Sequence, residues 1–372
     1  MSDTGGGHRS AGEVIAAALA REFPNRYSVT LVDVFKRAAY FPLNYAPETY
    51  LPLTTYLEGL WGLGFRVSNQ RLAARAVQMY LRLSSARRLR EILREHNPDL
   101  VVSTHPIFVT LARRGLRDLG SRAPFVTVVT DLFDAHRFWF DPDVDRCIVP
   151  TEGARRVARQ FGMPEEKLCV VGEPVSLEFI DNDITRIEAR SKLGLTPERT
   201  TILLVGGGEG MGPLDRIARA LDRAGLPIQL VVIAGRNKSL YRKLSAASWQ
   251  IPVEVQGFVT NMPAWMRAAD LIITKAGPGT ISEALACGLP ILLSGFLPGQ
   301  ETGNVTFVEQ SGVGVLRQNP EDIVRTVREW LTPGNETLAR LTARAREHAR
   351  PRAALDIAKI VDDCLTAHAT RV

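Results

Sequence analysis

At 372 residues, with 45% hydrophobic and 23% charged residues, the chain is too long for one ordinary domain and too apolar for disorder; it predicts two domains of roughly 150 to 200 residues, each with its own core. A formal charge of +6 draws the protein toward anionic surfaces, nucleic acid or acidic lipid headgroups, without choosing between them. Cys147, Cys169, Cys287 and Cys364 form no C-x-x-C pair, which argues against a zinc or redox motif and fits a reducing compartment, and no signal-like segment or run of about 20 apolar residues is present, so any membrane contact is expected to be peripheral.

In chain order, residues 2–11, SDTGGGHRSA, read as a glycine turn between a strand and a helix, yet only Met1 precedes them. Either the first lobe lacks one strand, or the true start lies upstream and Met1 is internal to that strand. The second reading fits better, because open α/β sheets place ligand turns at strand ends. In this turn Gly5, Gly6 and Gly7 let a ligand approach the backbone, and His8 offers a general base of near-neutral pKa; the bland alternative is an idle histidine on a terminal tail. Apolar runs at residues 29–32, 100–103, 125–129 and 147–149 predict buried parallel strands alternating with helices. Asp33 follows the first run where the ribose acid of a dinucleotide site would stand, but Ser10 breaks the G-x-G-x-x-G that nicotinamide binding needs.

Residues 40–65 concentrate Tyr40, Phe41, Tyr45, Tyr50, Tyr56, Trp61 and Phe65, with Pro42, Pro47 and Pro52 interrupting any long helix. This composition suits a greasy pocket or an interfacial insertion as well as an ordinary core loop. Arg71, Arg75 and Arg82 then share nearly one face of a helix, a solvated stripe or a site for anionic headgroups. Asp131, just past the strand ending at Val129, sits where such sheets bind ligands and can orient or deprotonate a hydroxyl, or merely cap the next segment. Asp141-Pro142-Asp143 looks superficially like a metal-binding acidic pair, but the proline makes it a surface turn.

The pattern restarts after the turn at Gly172-Glu173-Pro174, with strands at residues 201–205, 229–233, 253–256, 271–274 and 291–293. This gives a lobe at 1–173, a second at 174–350, and a last helix within 351–372 that packs back on the first lobe. Five glycines in residues 206–212, GGGEGMG, exceed what a tight turn needs and imply a ligand against that backbone, although the G-K-[ST] of a Walker loop is absent. The turn Gly277-Pro278-Gly279-Thr280 follows a strand and opens a helix, so it can present bare N–H groups to a diphosphate. Glu283, one turn inside that helix, is placed to accept both hydroxyls of a ribose. Together these features read as a nucleotide-sugar clamp.

SDTGGGHR, VTDLFDAHRFWF, GGGEGMGP, IAGRNK, GFVTNMPAWM, TKAGPGTISEA and GQETGN, in that order, resemble the monogalactosyldiacylglycerol synthases, relatives of the peptidoglycan N-acetylglucosaminyltransferase and of processive diacylglycerol glucosyltransferases. The likeness runs from about Ser2 to Pro351. It implies a GT-B fold, α/β, with two Rossmann-like lobes and an interlobe active-site cleft. The implied reaction moves galactose from UDP-galactose to 1,2-diacylglycerol with inversion and without a metal or other cofactor. The resemblance further implies that Gly206, Gly207, Gly208, Glu209 and Gly210 line the donor site, and that Phe258 and Val259 form part of the uracil pocket. Gly279 and Thr280 would face the diphosphate, Glu283 would hold the ribose, and Gln300, Glu301 and Asn304 would read the sugar. His8 would be the catalytic base, with Asp131 as runner-up. Gly7, Tyr45, Tyr50, Tyr56, Trp61, Arg71 and Arg75 would serve the acceptor and an anionic lipid surface, with no nucleic-acid partner. The expected location is cytoplasmic, peripheral on the inner face of the cell membrane. A UDP-glucose-dependent diacylglycerol glucosyltransferase, an enzyme using an undecaprenyl-linked acceptor, and a non-catalytic nucleotide-sugar or lipid-binding protein remain the alternatives.

Overall fold

The apolar runs form two separate parallel sheets in a computed structural model that describes residues 1–2, 6–40, 43–181 and 184–369, apart from the side chains of residues 43, 47, 51 and 369. The chain divides into two compact units. The first comprises Met1–Leu177, Leu297–Gly303 and Arg352–Val372, and the second Glu178–Phe296 and Asn304–Pro351. Gly5, Phe41 and Pro42 lie outside the described residues.

In the first unit, helices α1 (Gly7–Glu22), α2 (Val34–Ala38), α3 (Ala46–Tyr56), α4 (Glu58–Ser68) and α5 (Arg71–His96) precede strand β1 (Val101–Ser103). Then come α6 (Val109–Asp118), β2 (Phe125–Val128), β3 (Arg146–Val149), α7 (Glu152–Gln160) and β4 (Leu168–Val170), in the sheet order β1-β2-β3-β4. Phe125, Val126 and Val128 of β2 are buried, as a sheet covered on both faces demands, and Trp139 joins the same core. Each fully buried side chain of this size contributes about 1.5–3 kcal/mol of transfer free energy. α7 starts at Thr151 because its hydroxyl accepts the Ala154 N–H at 3.1 Å.

The expected strand at residues 29–32 is absent. These residues join no ladder among the described residues, and Val29 and Leu31 are exposed. The reason is the place beside them. Among the described residues Met1 pairs there, its amino group donating to Val32 O at 3.2 Å while Val34 N–H donates to Met1 O at 3.3 Å, the bond pattern of one parallel bridge. A cavity of about 590 Å³ separates the segment from β1, walled by Ile15, Val29, Leu31, Val102, Phe108 and Phe125. Beside that cavity the segment finds no ladder partner among the described residues. Prolines also act differently from expectation. α3 continues through Pro52, and the break falls at Leu57 (φ −130°, ψ 37°) before α4 begins.

The second unit begins with α8 (Glu178–Asp181) and α9 (Arg186–Lys192), the latter opened by a capping box between Thr185 and Glu188. Next come β5 (Thr200–Val205), α10 (Leu214–Asp222), β6 (Ile228–Ile233), α11 (Lys238–Ser245), β7 (Val253–Gln256), α12 (Met262–Ala268), β8 (Leu271–Lys275) and α13 (Pro278–Ala286). They are followed by β9 (Ile291–Gly295), α14 (Thr302–Gln310), β10 (Gly314–Leu316), α15 (Pro320–Trp330), α16 (Thr337–His348) and α17 (Ala353–Ala369); α17 belongs to the first unit. There it lies along α1, tied by an ion pair between Lys359 and Glu22 and a bond from the Tyr27 hydroxyl to Asp362. The second sheet has the order β10-β9-β8-β5-β6-β7, all parallel. β6 lies on one side of β5 and β8 on the other, so the topological switch point, where doubly wound sheets bind ligands, lies between the carboxyl ends of β5 and β8. β4 is the strand that ends before the turn at Gly172-Glu173-Pro174, and β10 is a strand the sequence reading did not find.

Candidate active site

In the first unit, His8 enters on the first turn of α1, started by Gly6 at φ +78°. Its Nδ1 lies 3.1 Å from Thr130 Oγ1, and its carbonyl accepts the Thr104 hydroxyl at 2.8 Å. The His105 ring stands edge-on at 4.5 Å, and the Trp139 ring lies at 5.9 Å. Burial first, then the charge of the chain's amino group, lowers the His8 pKa to about 4, while a bond to the Thr104 backbone favours the imidazolium. At neutral pH the ring is therefore an uncharged proton acceptor. Asp131 follows β2, its Oδ2 accepting the Trp139 indole N–H at 2.6 Å. Burial pushes its carboxyl up to about 6, against hydrogen bonds from Trp139 and the His136 backbone, with Glu301's charge adding to the rise.

Glu301 is buried, and Leu297 N–H donates to its Oε2 at 2.9 Å, so this carboxylate closes the turn at residues 297–301. The Tyr50 hydroxyl donates to Gln300 Oε1 at 3.4 Å, and Tyr50 packs edge-on against Trp61. Of the ring residues assigned to acceptor and membrane, Tyr50 and Trp61 thus face inward, whereas Tyr45 and Tyr56 are exposed. Gly7, Arg71 and Arg75 are exposed as well. Leu57 at the break before α4, Leu60, Leu63 and Val67 on α4, and Leu72, Met79 and Leu83 on α5 extend this exposed apolar surface beside the arginines.

Three acids have structural roles. Asp33 caps α2, accepting the Lys36 N–H at 3.2 Å. Arg113 pairs with Asp141 at 3.3 Å and Asp143 at 2.7 Å, which holds their turn. Among the described residues no group of three or more His, Cys, Asp or Glu side chains is arranged to hold a metal ion.

In the second unit, both glycine turns stand at the switch point. The glycines of residues 206–210 divide into two kinds. A Cβ on Gly206 would strike Met211 O, and one on Gly210, at φ +64°, would strike Ala234 O; these two serve the close approach of the protein's own backbone. Gly207 and Gly208 face looser surroundings, with Lys275 Cε and Arg236 Nη1 the nearest atoms at 3.4 and 3.3 Å from an ideal Cβ. Glu209 pairs with Arg236 at 3.0 Å, and Arg236 stacks 4.1 Å over the exposed Phe258 ring, beside Val259. On α13, Gly277 is the N-cap and Pro278 fills the first position, so Gly279 and Thr280 carry N–H groups that the helix itself does not use. Nothing stands within 4 Å of a Cβ on Gly279. Burial alone pushes the Glu283 carboxyl up to about 7. Asn304 is buried, its Nδ2 donating to Ala276 O at 2.9 Å.

Sequence reading passed over Lys275, whose Nζ lies 3.1 Å from an ideal Cβ on Gly277 and whose Cε approaches Gly207. A lysine ending a strand before a glycine turn was the available signal. Thr104, His105 and Thr130 were missed as well, since what places them around His8 is the adjacency of β1 and β2.

Residues 8–175 match the family described as monogalactosyldiacylglycerol (MGDG) synthase, and residues 201–357 match the glycosyltransferase family 28 C-terminal domain. The chain is 38% identical to monogalactosyldiacylglycerol synthase 3, chloroplastic, of Arabidopsis thaliana, over 96% of its own length and 79% of the relative's. It is 39% identical to the Spinacia oleracea monogalactosyldiacylglycerol synthase, chloroplastic, over 98% and 71%. Among solved structures it is similar to Acinetobacter baumannii MurG (TM-score 0.55, 16% identity, 75% of this chain and 77% of that one). The calicheamicin glycosyltransferase CalG4 is another (TM-score 0.53, 16% identity, 78% and 81%). These two structures speak for the fold alone. The chloroplastic designation of the relatives overturns the expectation of a cytoplasmic protein on the inner face of the cell membrane. With family matches on both units and relatives aligned along nearly its whole length, the chain has the GT-B fold and belongs to the monogalactosyldiacylglycerol synthase family of glycosyltransferases.

Proposed function

We propose that the protein transfers galactose from UDP-galactose to the free hydroxyl of 1,2-diacylglycerol, with inversion, giving monogalactosyldiacylglycerol at a membrane surface. The observation that carries this reading is the near-full-length likeness to monogalactosyldiacylglycerol synthases. The geometry supplies a physical route. In the tautomer whose Nδ1–H donates to Thr130 Oγ1, the His8 ring keeps its Nε2 lone pair for the acceptor proton. As that proton moves to His8, the glycerol oxygen attacks the anomeric carbon from the face opposite UDP, and the bond from that carbon to the diphosphate oxygen breaks. The attack inverts the configuration in one displacement. Asp131, ionised above about pH 6, is the second candidate for this proton.

UDP leaves with its negative charge on the β-phosphate. The Gly279 and Thr280 amides at the α13 N-terminus and the Lys275 ammonium are the groups that stabilise that charge. Glu283 accepts the ribose hydroxyls, Phe258 and Val259 hold the uracil, Gly207 and Gly208 leave room for the donor, and Gln300, Glu301 and Asn304 serve the hexose. No step calls on a metal. The exposed apolar residues of α4 and α5, beside Arg71, Arg75 and Arg82, meet the lipid that contains the acceptor.

The test is to incubate purified protein with diacylglycerol vesicles and radiolabelled UDP-galactose or UDP-glucose, then separate the glycolipids by thin-layer chromatography. Monogalactosyldiacylglycerol as the main product is expected. A glucolipid from UDP-glucose, with none from UDP-galactose, would replace the donor assignment. UDP release independent of diacylglycerol would remove the acceptor.

A further inference from the structure

Gln300, read above as a contact to the hexose, sits on a turn held from outside by the hairpin of α3 and α4. Gly62 of α4 is buried so closely against this turn that a Cβ on it would lie 2.8 Å from Pro298 Cβ and 2.9 Å from Pro298 O. Gly299 answers from the other side: at φ +83° it approaches Gly62 O and Phe65 Cβ, each 3.2 Å from its ideal Cβ. Leu297 N–H to Glu301 Oε2 at 2.9 Å and Gly299 N–H to Thr302 Oγ1 at 3.0 Å tighten the turn itself. The backbone there is over-determined, but the Gln300 side chain needs its own restraint, because an amide can present either its oxygen or its nitrogen to a sugar.

We propose that Tyr50 is a positioning residue for the hexose: its hydroxyl, donating to Gln300 Oε1, turns the Gln300 amide so that its NH2 group faces the sugar. Three observations support this assignment. The hydroxyl lies 3.4 Å from Gln300 Oε1 and belongs to a half-buried ring that stands edge-on, 5.3 Å between centroids, against Trp61 of the same hairpin. Burial, followed by the charges of Glu301 and Asp131, raises the phenol pKa, so the group remains a donor at every working pH. Finally, α4 carries the exposed residues Leu60, Leu63 and Val67, so the helix that meets lipid also braces the turn that reads the donor. Donor selection and lipid docking thereby share one structural element.

The inference rests on Gln300 reading the hexose, and the experiment separates the two. Donor KM, kcat and the rate ratio of UDP-galactose to UDP-glucose are measured on diacylglycerol vesicles for wild type, Tyr50→Phe, Gln300→Ala and the double variant, with the inhibition constant of UDP alongside. Tyr50→Phe keeps the ring on Trp61 and removes only the hydroxyl. Loss of one hydrogen bond is expected to raise the KM for UDP-galactose about fivefold and to shrink the donor ratio. The inhibition constant of UDP, which has no hexose, should stay unchanged, and Tyr50→Phe should cost nothing more in the Gln300→Ala background. Equal cost in both backgrounds, an unchanged donor KM, or an equal weakening of UDP would each overturn the role of Tyr50. If Gln300→Ala itself leaves donor KM and donor ratio untouched, the assignment of Gln300 fails and the proposal falls with it.

Discussion

Glu283, its carboxyl pushed up to about 7 by burial, is about half ionised at neutral pH, yet ribose hydroxyls need the carboxylate as acceptor. Donor binding therefore releases a proton, and affinity for UDP-galactose should fall up to about tenfold per pH unit below 7 and level off above it. Titration calorimetry with UDP-galactose between pH 5.5 and 8.5 measures this. Glu283→Gln should flatten the profile and weaken binding about 10- to 100-fold, as expected for hydrogen bonds to a charged group. The stability effect runs the other way: because the folded pKa lies above the ordinary value of 4.5, this group's contribution falls as pH rises from 4.5 to 7. For His8, replacement by Ala should cut kcat about 10²- to 10⁴-fold while leaving the UDP-galactose dissociation constant unchanged; an equal loss in affinity would place His8 on the donor instead. His8 and Glu283 could be singled out in the sequence because each follows a glycine turn. Lys275 and Thr130 could not, since their positions depend on which strand ends lie side by side.

At the scale of elements, the two glycine turns of the second unit should respond oppositely to one added methyl group. Gly279→Ala places its Cβ in open space on the first turn of α13, where alanine is the better helix former by about 1 kcal/mol. It should raise Tm and weaken UDP-galactose binding, if the diphosphate lies there. Gly210→Ala drives a Cβ into Ala234 O at a positive φ and should lower Tm by several degrees. Thermal melts with and without UDP read both effects, and a Gly279→Ala variant that binds the donor normally would move the diphosphate elsewhere. The glycine run at residues 206–210 was legible as a special turn. Its partition into backbone-packing and open positions was not, because that depends on the neighbouring turn at Ala234 and Gly235. The same holds for residues 29–32: a β-branched run states a propensity, while a ladder requires a neighbouring chain.

For the whole molecule, the charge of +6 and the apolar surface of α4 and α5 imply binding to anionic vesicles that weakens with salt. Leu60→Asp with Leu63→Asp, at positions 61% and 53% exposed, should leave the fold intact, lower co-sedimentation with anionic vesicles about tenfold or more, and spare turnover of a water-soluble short-chain diacylglycerol. Equal binding of the wild type to neutral and anionic vesicles at low salt would remove the electrostatic part. Among the described residues no helix is long and apolar enough to cross a bilayer.

Read alone, the sequence determined the α/β class, the parallel sheets, the glycine turns after β5 and β8 and the family, because apolar periodicity and turn chemistry are local properties written in consecutive residues. Only the tertiary structure decided that Tyr50 and Trp61 turn inward while Leu60 and Leu63 face out. It also decided that Asp33 caps α2, that Arg113 holds the Asp141–Asp143 turn, and that Thr130 and His105 surround His8. Those outcomes depend on contacts between residues remote in the chain, where burial and hydrogen-bond partners, not residue type, choose the role of a side chain.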